Sequence, residues 1–193
     1  IAALAIQYRR ERVISISYAV GLLALVIAQG ILGMFTVTRQ LKPLIVTAHL
    51  IFGLTTLSML WWLTLTLSRR RARAWRTATP FLGSSLPRTR QLAMLALIAL
   101  SMQLALGGWT SSNYAAIACP DLPKCQGAWW PPMAVGEGFV LWHSPSAVET
   151  AVDGSGINYE GGVLSLPARS AIHFAHRIGA LLASAMLLVA TIR

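Results

Sequence analysis

Charged residues fall in blocks along the chain, separated by long apolar stretches. None occurs between Arg12 and Arg39, between Lys42 and Arg69, or between Arg90 and Asp121. The apolar cores of these gaps cover 13–35, 44–67 and 91–110, and a fourth, 170–192, carries Arg177 as its one charge. A helix needs about 20 apolar residues to cross a hydrocarbon layer about 30 Å thick at about 1.5 Å per residue. All four stretches are long enough. They are also polar-poor on every side, whereas a core helix of a water-soluble protein keeps a charged stripe. The pattern predicts an all-α polytopic membrane protein, a helical bundle with four full transmembrane spans.

Composition agrees with the pattern. The 193 residues are 55% apolar and 11% charged, against about 25% charged in an average soluble domain. Disorder is excluded, because disordered chains combine low hydrophobicity with high charge. The formal charge of +10 raises nucleic acid as a partner, and the placement of the charges argues against it. Arg9, Arg10, Arg12, the seven arginines at 69, 70, 71, 73, 76, 88 and 90, and Arg193 lie on one side of the spans. Arg39, Lys42, Lys124 and Arg169 lie on the other. By the positive-inside rule the 69–90 loop is cytoplasmic, and the 111–169 loop, with five of the six acidic residues, is periplasmic. The basic run Ser68 to Arg76 abuts a span and reads as a topology signal. The division expected is 1–68 as the end of one half, 69–90 as the loop, and 91–193 as the start of a second half.

The chain opens at Ile1 inside an apolar run and ends just past the fourth span. A longer protein is expected, with residues 1–7 as the tail of a preceding span.

Two cysteines, Cys119 and Cys125, lie in the outer loop within CPDLPKC. An oxidising compartment favours a disulfide there, either as a staple for a Pro-rich turn or as a redox-active pair. The spacing is not that of a zinc knuckle, and the Cys-x-x-Cys-His pattern of covalent heme attachment is absent.

The hairpin is used twice. Gln29 to Thr36 and Gln103 to Thr110 both read Gln-x-x-Leu-Gly-x-aromatic-Thr at the outer end of an outgoing helix. Each is followed by a returning helix with an early histidine, His49 in AHLI and His176 in AHRI. Both are expected five or six residues inside their spans, roughly 8 to 9 Å deep. An ionisable side chain at that depth marks a functional site by default, and neutral imidazole is an axial ligand of heme iron, held in many bundles by inward histidines. A neutral imidazole bonded to a neighbouring helix is the plainer alternative. Gly30 with Gly33 and Gly107 with Gly108 permit close approach of a backbone or a flat ligand. Arg177 can pair with a heme propionate beside an iron-ligating His176, and His173, one turn earlier, is a candidate supporting group behind the ligand or a plain interfacial residue. His143 in the outer loop is expected to be solvated.

The hairpins QGILGMFTVT with TAHL, and LGGWTSSNYAAIACPDLPKCQGAWWP with IHFAHRIGAL, resemble those of the heme A synthase family over nearly the whole chain. The resemblance implies an enzyme of the bacterial inner membrane that oxidises the C8 methyl of heme O to a formyl group, making heme A for terminal cytochrome oxidase. The family has eight spans in two similar four-helix halves, each holding a heme between two histidines, and this chain looks like the end of the second span through the sixth. Carried over, His49 is the axial ligand of substrate heme O, His176 the axial ligand of cofactor heme B, and Arg177 a propionate partner. Cys119 and Cys125 match the outer cysteine pair. His173 stands where the other half of the family carries a glutamate proposed to assist oxidation. That glutamate and the partner histidines lie outside this sequence. The implied partners are membrane lipid, heme O, a heme O synthase and an electron acceptor, with a homo-oligomer as a further expectation. On the residues alone an alternative stands open: a b-type cytochrome subunit with one heme between His49 and His176.

Overall fold

The computed structural model describes residues 15–39, 41–75, 87–141 and 161–192. Four long helices form where the charge gaps lie: α1 (Ile16–Thr38), α2 (Pro43–Trp75), α3 (Pro87–Ser112) and, after a short α4 (Val135–Gly138), α5 (Leu166–Ile192). A 3-10 turn, Ala115–Ala118, follows α3. Among the described residues there is no strand; Cys125 and Ala128 form an isolated bridge. Each long helix contains a stretch long and apolar enough to cross a membrane, 23 to 27 residues in length.

Local chemistry sets the helix starts. The Ser15 hydroxyl accepts the Tyr18 N–H at 3.2 Å, an N-cap on α1. Pro43 and Pro87 open α2 and α3, positions where the missing N–H of proline has no helical partner to lose. Ser165 caps α5, accepting the Ala168 N–H at 3.4 Å and donating to Glu137 at 2.8 Å. Helix α1 stops at a tight turn in which Leu41 takes a left-handed φ of 60° and its N–H returns to the Thr36 carbonyl at 2.9 Å.

The helices run beyond the expected spans. Helix α2 continues to Trp75 rather than ending at 67, because arginine and alanine are strong helix formers and extend the helix past the hydrocarbon. Helix α5 begins at Leu166 rather than 170. Hydroxyls on the apolar faces are satisfied within their own helix: Thr55, Thr56, Ser58, Thr64 and Thr66 of α2 and Ser101 of α3 each donate to the carbonyl four residues back at 2.8 to 2.9 Å. That closure is what a lipid-facing helix requires, since hydrocarbon offers no partner.

Two compact units are distinguishable, Ile1–Met34 with His49–Gly83, and Phe35–Ala48 with Ser84–Arg193. In the first, α1 and α2 pair, and the Tyr18 hydroxyl donates to the Met59 carbonyl. In the second, α3 and α5 pair beneath an outer cap. Its core is Trp109, Ala115, Leu164, Ala168 and Ile172, with Leu44 and Ala134 packed against it. The Trp109 indole N–H donates to the Gly138 carbonyl at 2.9 Å. Gly138 must be a glycine: a Cβ there would stand 2.8 Å from the Ala168 carbonyl oxygen.

Candidate functional site

Each hairpin holds the same four residues in the same two-layer arrangement. On α1, Gln29 and Gly33 are one turn apart and share a face; on α2, His49 and Gly53 do the same. The helices run antiparallel, so Gly33 meets His49 in the outer layer and Gln29 meets Gly53 in the inner one. A Cβ on Gly33 would lie 3.4 Å from His49 Cε1, and a Cβ on Gly53 would lie 2.6 Å from Gln29 Nε2. On α3 and α5 the quartet is Gln103, Gly107, His176 and Gly179. A Cβ on Gly107 would lie 3.3 Å from His176 Cε1, and one on Gly179 would collide with Gln103 Oε1. In every layer a large polar side chain fills the space that a missing side chain leaves on the facing helix.

The two quartets differ in their hydrogen bonds. Gln103 Nε2 lies 2.9 Å from His176 Nδ1 and donates to the His176 carbonyl at 3.0 Å. In the first hairpin His49 Nδ1 and Gln29 Oε1 are buried and make no hydrogen bond.

The register of the histidines differs from expectation in one respect. His49 lies six residues after the start of α2, as its span predicts, while His176 lies ten residues after Leu166, about 15 Å along α5. The extra turn of α5 is held by α4 and the Glu137–Ser165 bonds. Measured on the outgoing helices the two sites do match: Gly33 and Gly107 each precede the helix end by five residues.

Arg177 turns toward the disulfide loop. Its Nη2 donates to the Cys119 carbonyl and its Nη1 to the Lys124 carbonyl, both at 2.7 Å, and its Nε donates to His173 Nε2 at 3.3 Å. Cys119 and Cys125 are bridged and both are buried. Gln126, at a left-handed φ of 55°, ties the loop to α5 by donating to the Ala118 carbonyl at 3.0 Å and to Ser170 Oγ at 2.7 Å. Asp121 accepts the N–H groups of Gly127 and Gln126 at 2.8 and 2.7 Å. The Gly127 bond above all holds its carboxyl below the ordinary carboxylate range. Trp130 stacks edge-on against Phe174 at 5.3 Å. The first part of the outer loop is therefore a cap fixed on α5; His143 lies outside the described residues.

Sequence reasoning singled out His49, His176, Arg177, His173 and both cysteines. The structure joins Arg177, His173 and the disulfide loop along the first half of α5 and sets His49 and His176 each in a hairpin quartet. Of the paired glycines noted in the repeat, Gly33 and Gly107 face a histidine, and Gly30 meets nothing within 4 Å. The inner glycines, Gly53 and Gly179, were not singled out, although their place one turn after each histidine repeats in the sequence.

A sequence model of the cytochrome oxidase assembly protein family, COX15-CtaA, matches residues 1–193. The chain belongs to that family. A curated relative, the heme A synthase of Shewanella oneidensis (strain MR-1), is 41% identical over 169 residues, covering 88% of this chain and 46% of the relative. The chain thus spans about half the length of the curated relative it matches. No solved structure matches it.

Proposed function

We propose that the protein to which this chain belongs is a heme A synthase of the bacterial inner membrane, oxidising the C8 methyl of heme O to the formyl group of heme A. The observation that carries the proposal is the repeated quartet: two imidazoles, each packed against the glycine that stands five residues before the end of its hairpin's outgoing helix. Family membership and the Shewanella relative support it, and favour it over the electron-carrier alternative.

The residues present fit a heme. A neutral imidazole ligates iron through Nε2, and among the described residues neither His49 nor His176 spends Nε2 on a protein hydrogen bond. His49 Nδ1 is buried and makes no hydrogen bond, and its Nε2 is the nitrogen left for iron. In this reading His49 holds substrate heme O and His176 holds heme B. Heme B held at His176 would supply one-electron redox chemistry, passing to an acceptor the four electrons released as the methyl takes oxygen from water and loses four protons to become the formyl. The chain's own residues bind and orient. His49 fixes the substrate macrocycle. A guanidinium has five N–H donors; Arg177 uses three, so two remain for a propionate carboxylate. His173, with Nε2 committed to Arg177, holds that guanidinium in line. A heme O synthase as donor, an electron acceptor and self-association in lipid complete the proposed setting.

The test is expression of the full-length protein with a source of heme O, followed by extraction and chromatography of the hemes. Hydroxylated heme O and heme A are expected. Recovery of unchanged heme O alone overturns the reading.

A further inference from the structure

Of the two glutamines in the repeat, Gln103 sits where it controls a histidine. Gln103 reaches from α3 across the hairpin to His176 Nδ1 at 2.9 Å, and its approach depends on Gly179 having no side chain. Gln29 takes the matching place above Gly53. Buried amides are rarely tolerated in a span without a purpose, because hydrocarbon gives them no partner. Here the same amide recurs at the same offset, four residues before the glycine that faces the ring.

We infer that Gln103 is the positioning residue of His176: its amide holds Nδ1 of the ring from the facing helix, so that Nε2 is the nitrogen presented to a metal. The inference rests on the heme reading and deepens it. Metal-ligating histidines are oriented by a hydrogen bond at the other ring nitrogen, which fixes the tautomer and raises ligand basicity. Ligation through Nε2 places the ring proton on Nδ1, which must then meet an acceptor. With Nε2 of the amide toward the ring, Nδ1 is the acceptor instead. Ligation therefore calls for a half-turn of the Gln103 amide that brings Oε1, now buried without a partner, to Nδ1–H. The half-turn gives up the bond to the His176 carbonyl and keeps the bond to the ring with its direction reversed. In the first hairpin His49 Nδ1 and Gln29 Oε1 are buried and make no hydrogen bond, so positioning is inferred for the second hairpin alone.

The experiment uses the purified full-length protein, with heme B bound per chain, its rate of loss to apomyoglobin, and its midpoint potential as readouts. His176→Ala comes first and is expected to lose heme B; unchanged heme B in that variant sinks the heme reading itself. With that loss established, Gln103→Leu is expected to release heme about 10-fold faster or more and to raise the potential, since the imidazole becomes a weaker donor. Gln103→Glu, of the same shape and a stronger acceptor, is expected to restore retention and lower the potential below wild type. Gly179→Ala, which pushes the amide away without altering it, is expected to reproduce Gln103→Leu, and keeps the test alive should that variant fold poorly. A wild-type potential in Gln103→Leu and Gly179→Ala, or a shift of Leu and Glu variants in the same direction, overturns the proposal and leaves Gln103 a packing residue.

Discussion

Arg177 offers a sharp test of how the outer cap is held. Replacing it with Met keeps an unbranched stem along α5 and removes the guanidinium. Two carbonyls lose their donor. The Lys124 carbonyl is at the exposed edge, where water replaces the bond at little cost. The Cys119 carbonyl is partly buried and accepts at 2.7 Å from a charged donor, a bond of about 1.5 to 3 kcal/mol. Gln126 keeps its bonds to Ala118 and Ser170, so the loop stays docked and only its local opening becomes easier, by about 2 kcal/mol. Because Cys119 and Cys125 are 3% and 0% exposed, attack on the bridge by a dithiol must wait for such an opening. At one factor of ten per 1.36 kcal/mol, Arg177→Met should be reduced about 30-fold faster than wild type. Thiol labelling after timed exposure to dithiol, in the full-length protein in detergent, reads that rate. Reduction within about threefold of wild type would refute the clamp and return Arg177 wholly to anion binding.

Other outcomes follow from the same contacts. Trp109→Phe leaves the Gly138 carbonyl without its donor and is expected to cost about 1 to 3 kcal/mol, seen as a lower melting temperature, while Gly138→Ala presses a methyl on the Ala168 carbonyl at a similar cost of about 1 to 3 kcal/mol. Asp121 has a depressed pKa in the folded cap, so its stabilisation is present above the unfolded value of about 3.9 and is lost as pH falls through the folded one. Trp129 and Trp130 fluorescence should therefore report loosening below about pH 4, and Asp121→Asn should remove that pH dependence. Changing both cysteines to Ser is expected to cost about 2 kcal/mol of loop stability by chain entropy; heme conversion that survives the change marks the bridge as a staple, and conversion that is abolished while the cap stays folded marks it as redox-active.

Much of this was legible in the sequence, for reasons that can be named. The four spans are visible because charge is absent over whole helix lengths, a signal that no tertiary contact can override in hydrocarbon. Their ends were less visible, since Leu166 and Trp75 are set by a cap at Ser165 and by helix-forming arginines beyond the membrane. The repeat exposed His49 and His176 as equivalents. It did not expose the depth of His176, which depends on α4 holding an extra turn of α5. The partner of Arg177 was hidden for a different reason: the sequence shows a cation within a span and suggests an anion, whereas the fold brings two carbonyls from a loop more than fifty residues earlier. Gln103 was visible only as a letter in a repeat, because its meaning needs the gap at Gly179.

The central claim is that His49 and His176 serve two different hemes, one substrate and one cofactor. The most direct measurement compares His49→Ala and His176→Ala in the full-length protein, each expressed with a heme O source, by extracting and quantifying heme B, heme O and heme A. His49→Ala is expected to abolish conversion of heme O while keeping most heme B, and His176→Ala to lose heme B. Equal loss of heme B in both variants would contradict the division and favour a single heme shared by the two histidines.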